Sequence, residues 1–121
     1  MQIKEIHAGE SVGYDGAFTA KKSMKIGVLP MGYNDGLDRR FSNIGYMMMG
    51  DSLCQILGKV SMNITVINIS KVPNPIVGEE VVYISEMPDS PISLENQAKT
   101  IGVIPYDLLV HLNKEMYRKI G

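Results

Sequence analysis

One cysteine, two histidines and nearly cancelling charge leave this sequence short of most side chains that announce a reaction. Cys54 has no second thiol to pair with, so no disulfide framework exists and a reducing compartment, the cytoplasm, is the expectation. It lies in Leu53-Cys54-Gln55-Ile56-Leu57, an apolar run in which a thiol reads as a small buried hydrophobe. His7 and His111 stand far apart in the chain, which excludes a histidine pair at metal-ligand spacing and predicts surface or interface roles. Twelve Lys plus Arg against thirteen Asp plus Glu leave a net charge of -1, too little field to gather nucleic acid or an anionic membrane. No apolar run approaches the ~20 residues of a membrane span, and the start Met1-Gln2-Ile3-Lys4-Glu5-Ile6 lacks a signal peptide's apolar stretch. The GxxxxGK[ST] phosphate loop and the GxSxG nucleophile turn are both missing. There is no linker, low-complexity segment, charge block or internal repeat. A chain of 121 residues, 45% of them hydrophobic, can bury one core, so residues 1–121 are read as a single domain.

What is present is a period of two. In Met24-Lys25-Ile26-Gly27-Val28 the apolar Met24, Ile26 and Val28 fall on one side and Lys25 on the other, the pattern of a half-buried strand. Similar runs recur over 2–6, 16–20, 46–49, 53–57, 65–69 and 80–85, separated by Gly, Asn, Asp or Pro. Met47-Met48-Met49 reads as strand filler. Two helical patches come late. Ser93 can cap a turn that sets Leu94, Ala98 and Ile101 on one face before Gly102, and Leu108, Leu109, Leu112 and Met116 stripe a second after Pro105. Both stripes read as core. The expected fold is therefore mainly β, a closed or partly open antiparallel barrel or sandwich with one or two short C-terminal helices.

Against that scaffold the tyrosines are conspicuous. Tyr14 in Val12-Gly13-Tyr14-Asp15-Gly16, Tyr33 in Gly32-Tyr33-Asn34-Asp35-Gly36 and Tyr106 in Ile104-Pro105-Tyr106 all occupy glycine- or proline-marked turns. A phenol held on such a turn can point into a cleft, although packing at a strand end is an equally ordinary use. The densest polar stretch runs from Gly32 through Arg39-Arg40, where Asn and Asp tolerate left-handed backbone and glycines permit close approach. A plain strand connection would need neither a phenol nor paired guanidiniums there. In Gly58-Lys59-Val60-Ser61-Met62-Asn63 a cation, a hydroxyl and an amide punctuate a strand pair.

Four of these segments, in this order and spacing, resemble the C-terminal domain of the alanine racemase family: Val12-Gly13-Tyr14; Gly32-Tyr33-x-Asp35-Gly36 with Arg39-Arg40; Cys54-x-Ile56-Leu57-Gly58-Lys59-Val60-Ser61-Met62; and Gly102-x-Ile104-x-Tyr106. The similarity covers about residues 1 to 112. It implies a mostly β domain that follows a barrel binding pyridoxal 5'-phosphate, with the cofactor lysine before Met1, so the chain reads as a fragment that would be inactive alone. By the resemblance Tyr14 matches one of two opposed bases and reaches into the active site of the second subunit of a homodimer. Inverting a stereocentre through a planar carbanion, with the cofactor as electron sink, needs a proton acceptor on one face and a donor on the other. Tyr106 matches the tyrosine that hydrogen-bonds the cofactor phosphate. Tyr33, Arg39 and Lys59 match the corridor that admits the small amino-acid substrate, and Met62 and Asn63 match the pair lining its carboxylate. Tyr46, Tyr83 and Tyr117 match no motif and read as structural.

Two positions depart from the family pattern: Asn63 stands where aspartate is usual and Lys59 where arginine is usual. An amide removes a negative charge and adds an N–H donor that could meet a substrate hydroxyl, which points toward serine as in the similar serine racemases, some of which are membrane-anchored. Lysine keeps the charge but loses the planar fork. The tail 113–121 also departs from the family's closing strand. The alternative is a stand-alone β-barrel binding or interaction module, without catalysis, whose turns are polar for other reasons.

Overall fold

Alternating apolar and polar side chains become strands where the period predicts them. The computed structural model describes residues 2–12, 18–33, 37–75, 81–85 and 89–109. Its elements are β1 (Gln2–Ile6), β2 (Ser11–Val12), β3 (Phe18–Thr19), β4 (Met24–Leu29), β5 (Tyr46–Met49), β6 (Ser52–Leu57), β7 (Thr65–Asn68), β8 (Val81–Val82) and α1 (Leu94–Ile101), with a 3-10 turn at Arg39–Phe41 between β4 and β5. A further helical stretch occupies 105–109. Six strands form one sheet in the order β1-β4-β7-β6-β5-β8, every neighbour antiparallel, while β2 and β3 pair separately. The sheet curls into a half-barrel, the partly open version of the expected fold.

The β5–β6 register pairs Met49 with Ser52, which leaves a two-residue turn, and Gly50 takes the φ of +61° that such a turn demands. The central strands are covered on both faces. Leu29, Met47, Met49, Cys54, Ile56 and Ile67 meet Leu37 and Phe41 from the β4–β5 connection and Ala98 and Leu108 from the helical segments. On the other face Ile26, Leu57 and Val66 pack with Ile6, Val12 and Ala20, and Met24 and Val28 lie against them, as their shared side in the sequence predicts.

Helix α1 starts and stops where its caps place it. The Ser93 side chain accepts from the Asn96 N–H, and Gly102 closes the helix with φ +76°. Its buried Gln97 donates to the carbonyls of Tyr46 (2.9 Å) and Tyr83 (2.7 Å) and so joins the helix to β5 and the segment after β8. The second helical stripe divides: Leu108 is fully buried, but Leu109 is 40% exposed, so the expectation that both are core fails at Leu109. Adjacent residues on a helix lie about 100° apart, and only one of the two can face the sheet. Leu112, Met116, His111 and Tyr117 lie outside the described residues.

Candidate functional site

Two connections at one end of the sheet, 30–45 between β4 and β5 and 58–64 between β6 and β7, are joined by hydrogen bonds. Gly32 begins the contact. A side-chain carbon there would collide with the carbonyl oxygen of Ser61 and the carbonyl group of Met62, so only glycine allows the two backbones to lie together. The Tyr33 N–H donates to the Ser61 carbonyl at 3.0 Å, and the Thr65 hydroxyl donates to the Met31 carbonyl at 2.8 Å. Ser61 folds its own loop by donating Oγ–H to Ile64 O at 2.8 Å. Ser42 donates its hydroxyl to Arg39 O at 2.7 Å and accepts the Val60 N–H at 2.8 Å. Asn43, with φ +63°, accepts the Gly58 N–H on Oδ1 at 2.7 Å.

Asp38 organises the middle of the first connection. Nearly buried, it caps the Arg39–Phe41 turn by accepting the Arg40 N–H on Oδ1 at 2.9 Å. The Arg40 guanidinium returns to the same carboxylate, Nε to Oδ1 at 3.0 Å and Nη2 to Oδ2 at 2.6 Å, and Nη2 also reaches Asp107 Oδ1 at 3.1 Å. The hydrogen bond to Asp38, with smaller help from Asp107, drives the Arg40 pKa further up, so the group stays cationic at every accessible pH. Phe41 is buried behind the turn, edge to face with Tyr83 at 5.2 Å between centroids, and the Tyr83 hydroxyl accepts the Asp38 N–H at 3.4 Å. Burial pushes the Tyr83 phenol above its ordinary range and keeps it neutral.

Between the two connections lies an open cleft of about 630 Å³ lined by Tyr33, Arg39, Arg40, Ser42, Lys59, Val60, Ser61 and Met62. The Arg39 guanidinium sits over the Tyr33 ring, 4.9 Å from its centroid. Arg39 and Lys59, both exposed, give the cleft positive character alongside Arg40. A second cleft of about 460 Å³ shares Lys59 and Ser61 and continues along Val12, Ile26, Val28 and Val66. Val12 and Phe18 are paired, and the chain between them carries Tyr14. Cations, a phenol and hydroxyls around an apolar floor suit a small carboxylate-bearing molecule. Among its described lining residues the first cleft has no histidine or carboxylate able to accept a proton, whereas Glu5 and Glu10 line the second.

The structure thus gathers Tyr33, Arg39, Lys59 and Met62 in one cleft. Asn63 is exposed and next in sequence but does not line it. Tyr106 is 71% exposed and lines neither of these clefts; its neighbour Asp107 reaches the first loop through Arg40. Tyr14 lies outside the described residues. Among the described residues no group of three or more His, Cys, Asp or Glu could hold a metal ion, and no helix is long and apolar enough to cross a membrane. The separate jobs of Arg39 and Arg40 escape a sequence reading that takes them as a pair. Asp38 ahead of a short turn is a capping signal that could have been read, whereas nothing local to Asp107 points 67 residues back to Arg40.

The family model described as "Alanine racemase, C-terminal domain" matches residues 1–120. The chain belongs to that family. Among curated relatives, the alanine racemase of Borreliella burgdorferi (strain ZS7) is 37% identical over 117 residues, 97% of this chain and 30% of that protein. That of Staphylococcus saprophyticus is 38% identical over 119 residues, 98% of this chain and 30% of that protein. The structure of alanine racemase from Bartonella henselae with covalently bound pyridoxal phosphate superposes with a TM-score of 0.80 at 27% identity, covering 92% of this chain and 30% of that one. Alanine racemase from Acinetobacter baumannii gives 0.78 at 28% identity, over 93% and 30%. This alanine racemase C-terminal domain therefore spans less than a third of the relatives that it matches.

Proposed function

We propose that residues 1–121 form the C-terminal domain of a pyridoxal-phosphate-dependent amino-acid racemase that interconverts L- and D-alanine, acting in a homodimer with the cofactor held mainly by an N-terminal barrel. The observation that carries this is the convergence of Tyr33, Arg39, Lys59 and Met62 on one cleft in a chain of this family. The cofactor, when bound, supplies the electron sink that lowers the cost of removing an α-proton. This domain supplies the substrate corridor and one of the two proton-handling groups. Arg39 and Lys59 draw the substrate carboxylate into the corridor, and Tyr33, held against Arg39, narrows it. Met62 lines the carboxylate, with the exposed Asn63 next to it in the chain. Tyr14 takes or returns the α-proton on the face opposite the cofactor lysine, in the partner subunit's site. A phenol with a reference pKa of about 10 needs a neighbouring cation to do so near neutrality. The exposed Tyr106 phenol is free of any enclosing wall and fits as one donor to the cofactor phosphate, though nothing described around it forms a cradle.

Asn63 in place of aspartate extends the substrate range toward serine, because an amide N–H can donate to the substrate hydroxyl where a carboxylate cannot. The test is a racemisation assay of the full-length protein with both amino acids. Turnover of alanine is expected, and Asn63→Asp should lower the serine-to-alanine ratio of kcat/KM by roughly fivefold to tenfold. An unchanged ratio would remove the role of Asn63, and no racemisation of either substrate would remove the reading itself.

A further inference from the structure

Helical stretch 105–109 is fastened to the domain at two described points. Leu108 is fully buried in the core, and the exposed side of the stretch is held by Asp107, whose Oδ1 accepts from Arg40 Nη2 at 3.1 Å. A single apolar anchor fixes how close a segment lies to the sheet but leaves it free to roll about its own axis. A second contact, off that axis and on the residue next to Tyr106, removes the roll. Arg40 can serve because its guanidinium is already locked: Nε and Nη2 are forked onto the nearly buried Asp38, which caps the turn that also carries Arg39, and the same Nη2 reaches Asp107. Its planar group therefore arrives at Asp107 with little rotamer freedom left to lose.

We infer that Arg40, through the bridge Asp38–Arg40–Asp107, is a positioning residue that aims the Tyr106 phenol. The inference rests on the proposed role of Tyr106 as a contact to the cofactor phosphate. Both Arg40 and Asp107 are about half exposed, with side-chain exposures of 40% and 50%, so the contact between them adds little to global stability. Its effect belongs in the geometry of one hydroxyl, which moves with the axial roll of a short segment.

The experiment measures the dissociation constant of pyridoxal 5'-phosphate on reconstituting the full-length apo-protein, for Arg40→Met, Asp107→Asn and Tyr106→Phe and for each of the first two combined with the third. Asp107→Asn leaves the Asp38–Arg40 fork intact, so it separates the bridge from any unravelling of the loop. Each of Arg40→Met and Asp107→Asn should weaken cofactor binding about threefold to fivefold; the thermal midpoint should stay nearly unchanged for Asp107→Asn and fall for Arg40→Met, which also takes the cation from the nearly buried Asp38 carboxylate. Neither should weaken it further once Tyr106→Phe is present, because a misaimed hydroxyl and a missing one are equivalent. Effects that simply multiply with that of Tyr106→Phe, or no effect of Asp107→Asn, would overturn the inference while leaving the racemase reading in place. If Tyr106→Phe itself binds the cofactor as well as the wild type, the phosphate contact falls and the inference falls with it.

Discussion

Arg39 and Arg40 are neighbours of identical chemistry, and the structure uses them differently: one guanidinium lies on a ring at the cleft, the other is divided between two carboxylates. Gly32 is equally specific in its demand. Gly32→Ala pushes a methyl into the carbonyls of Ser61 and Met62, backbone atoms that cannot swing aside, and should cost about 1–3 kcal/mol in urea unfolding. An unchanged midpoint would mean that the two connections are not in contact. Tyr83 gives a pH signature. Its folded pKa lies above the unfolded value of about 10, so the folded state holds that proton more tightly and the unfolded state loses it first. Its contribution is complete below pH ~10 and is lost as pH rises beyond that, so stability should fall in alkali more steeply in the wild type than in Tyr83→Phe. Equal slopes would contradict the burial of the phenol. Much of this scale was hidden in the sequence. Gly32 stood out as a turn former, but that its need is a close approach to Ser61 depends on a partner 29 positions away, and Tyr83, matching no motif, offered no sign of its bond to Asp38.

The elements were more legible, because their causes are local. A two-residue period makes strands of 2–6, 24–29 and 46–49, and serine and glycine bracket α1 as capping chemistry requires. What escaped was too short to have a period, namely β2 and the Arg39–Phe41 turn, or depended on packing, as with Leu109 facing water beside the buried Leu108. How the elements join was not legible at all. Gln97 illustrates it: a polar residue on the predicted helix becomes a buried clamp on two carbonyls from distant segments, while its own Oε1 meets no partner among the described residues. Gln97→Leu withdraws a donor from both carbonyls and relieves one unmet acceptor, so a net loss of about 2 kcal/mol in thermal or urea unfolding is expected. A neutral or stabilising outcome would show that those carbonyls are satisfied without it.

At the scale of the molecule, a curled sheet holds two connections so that a cationic, phenol-bearing cleft forms at its end, and the chain covers 30% of the racemases that it resembles. The division of labour follows. The domain on its own should fold yet carry no pyridoxal phosphate through gel filtration, since the described residues around Tyr106 build no cradle; cofactor co-eluting with residues 1–121 would contradict it. The family was readable from four spaced motifs, whereas the coupling of those motifs to one another was visible only after folding. The proposed reaction needs Tyr14 as one of two proton-handling groups on opposite faces of the substrate carbon, and racemisation by the full-length Tyr14→Phe protein is the decisive measurement. Interconversion of L- and D-alanine should fall by about 10²–10⁴, while one enantiomer still exchanges its α-proton with D₂O through the base that remains. Racemisation within a few-fold of the wild type would contradict it.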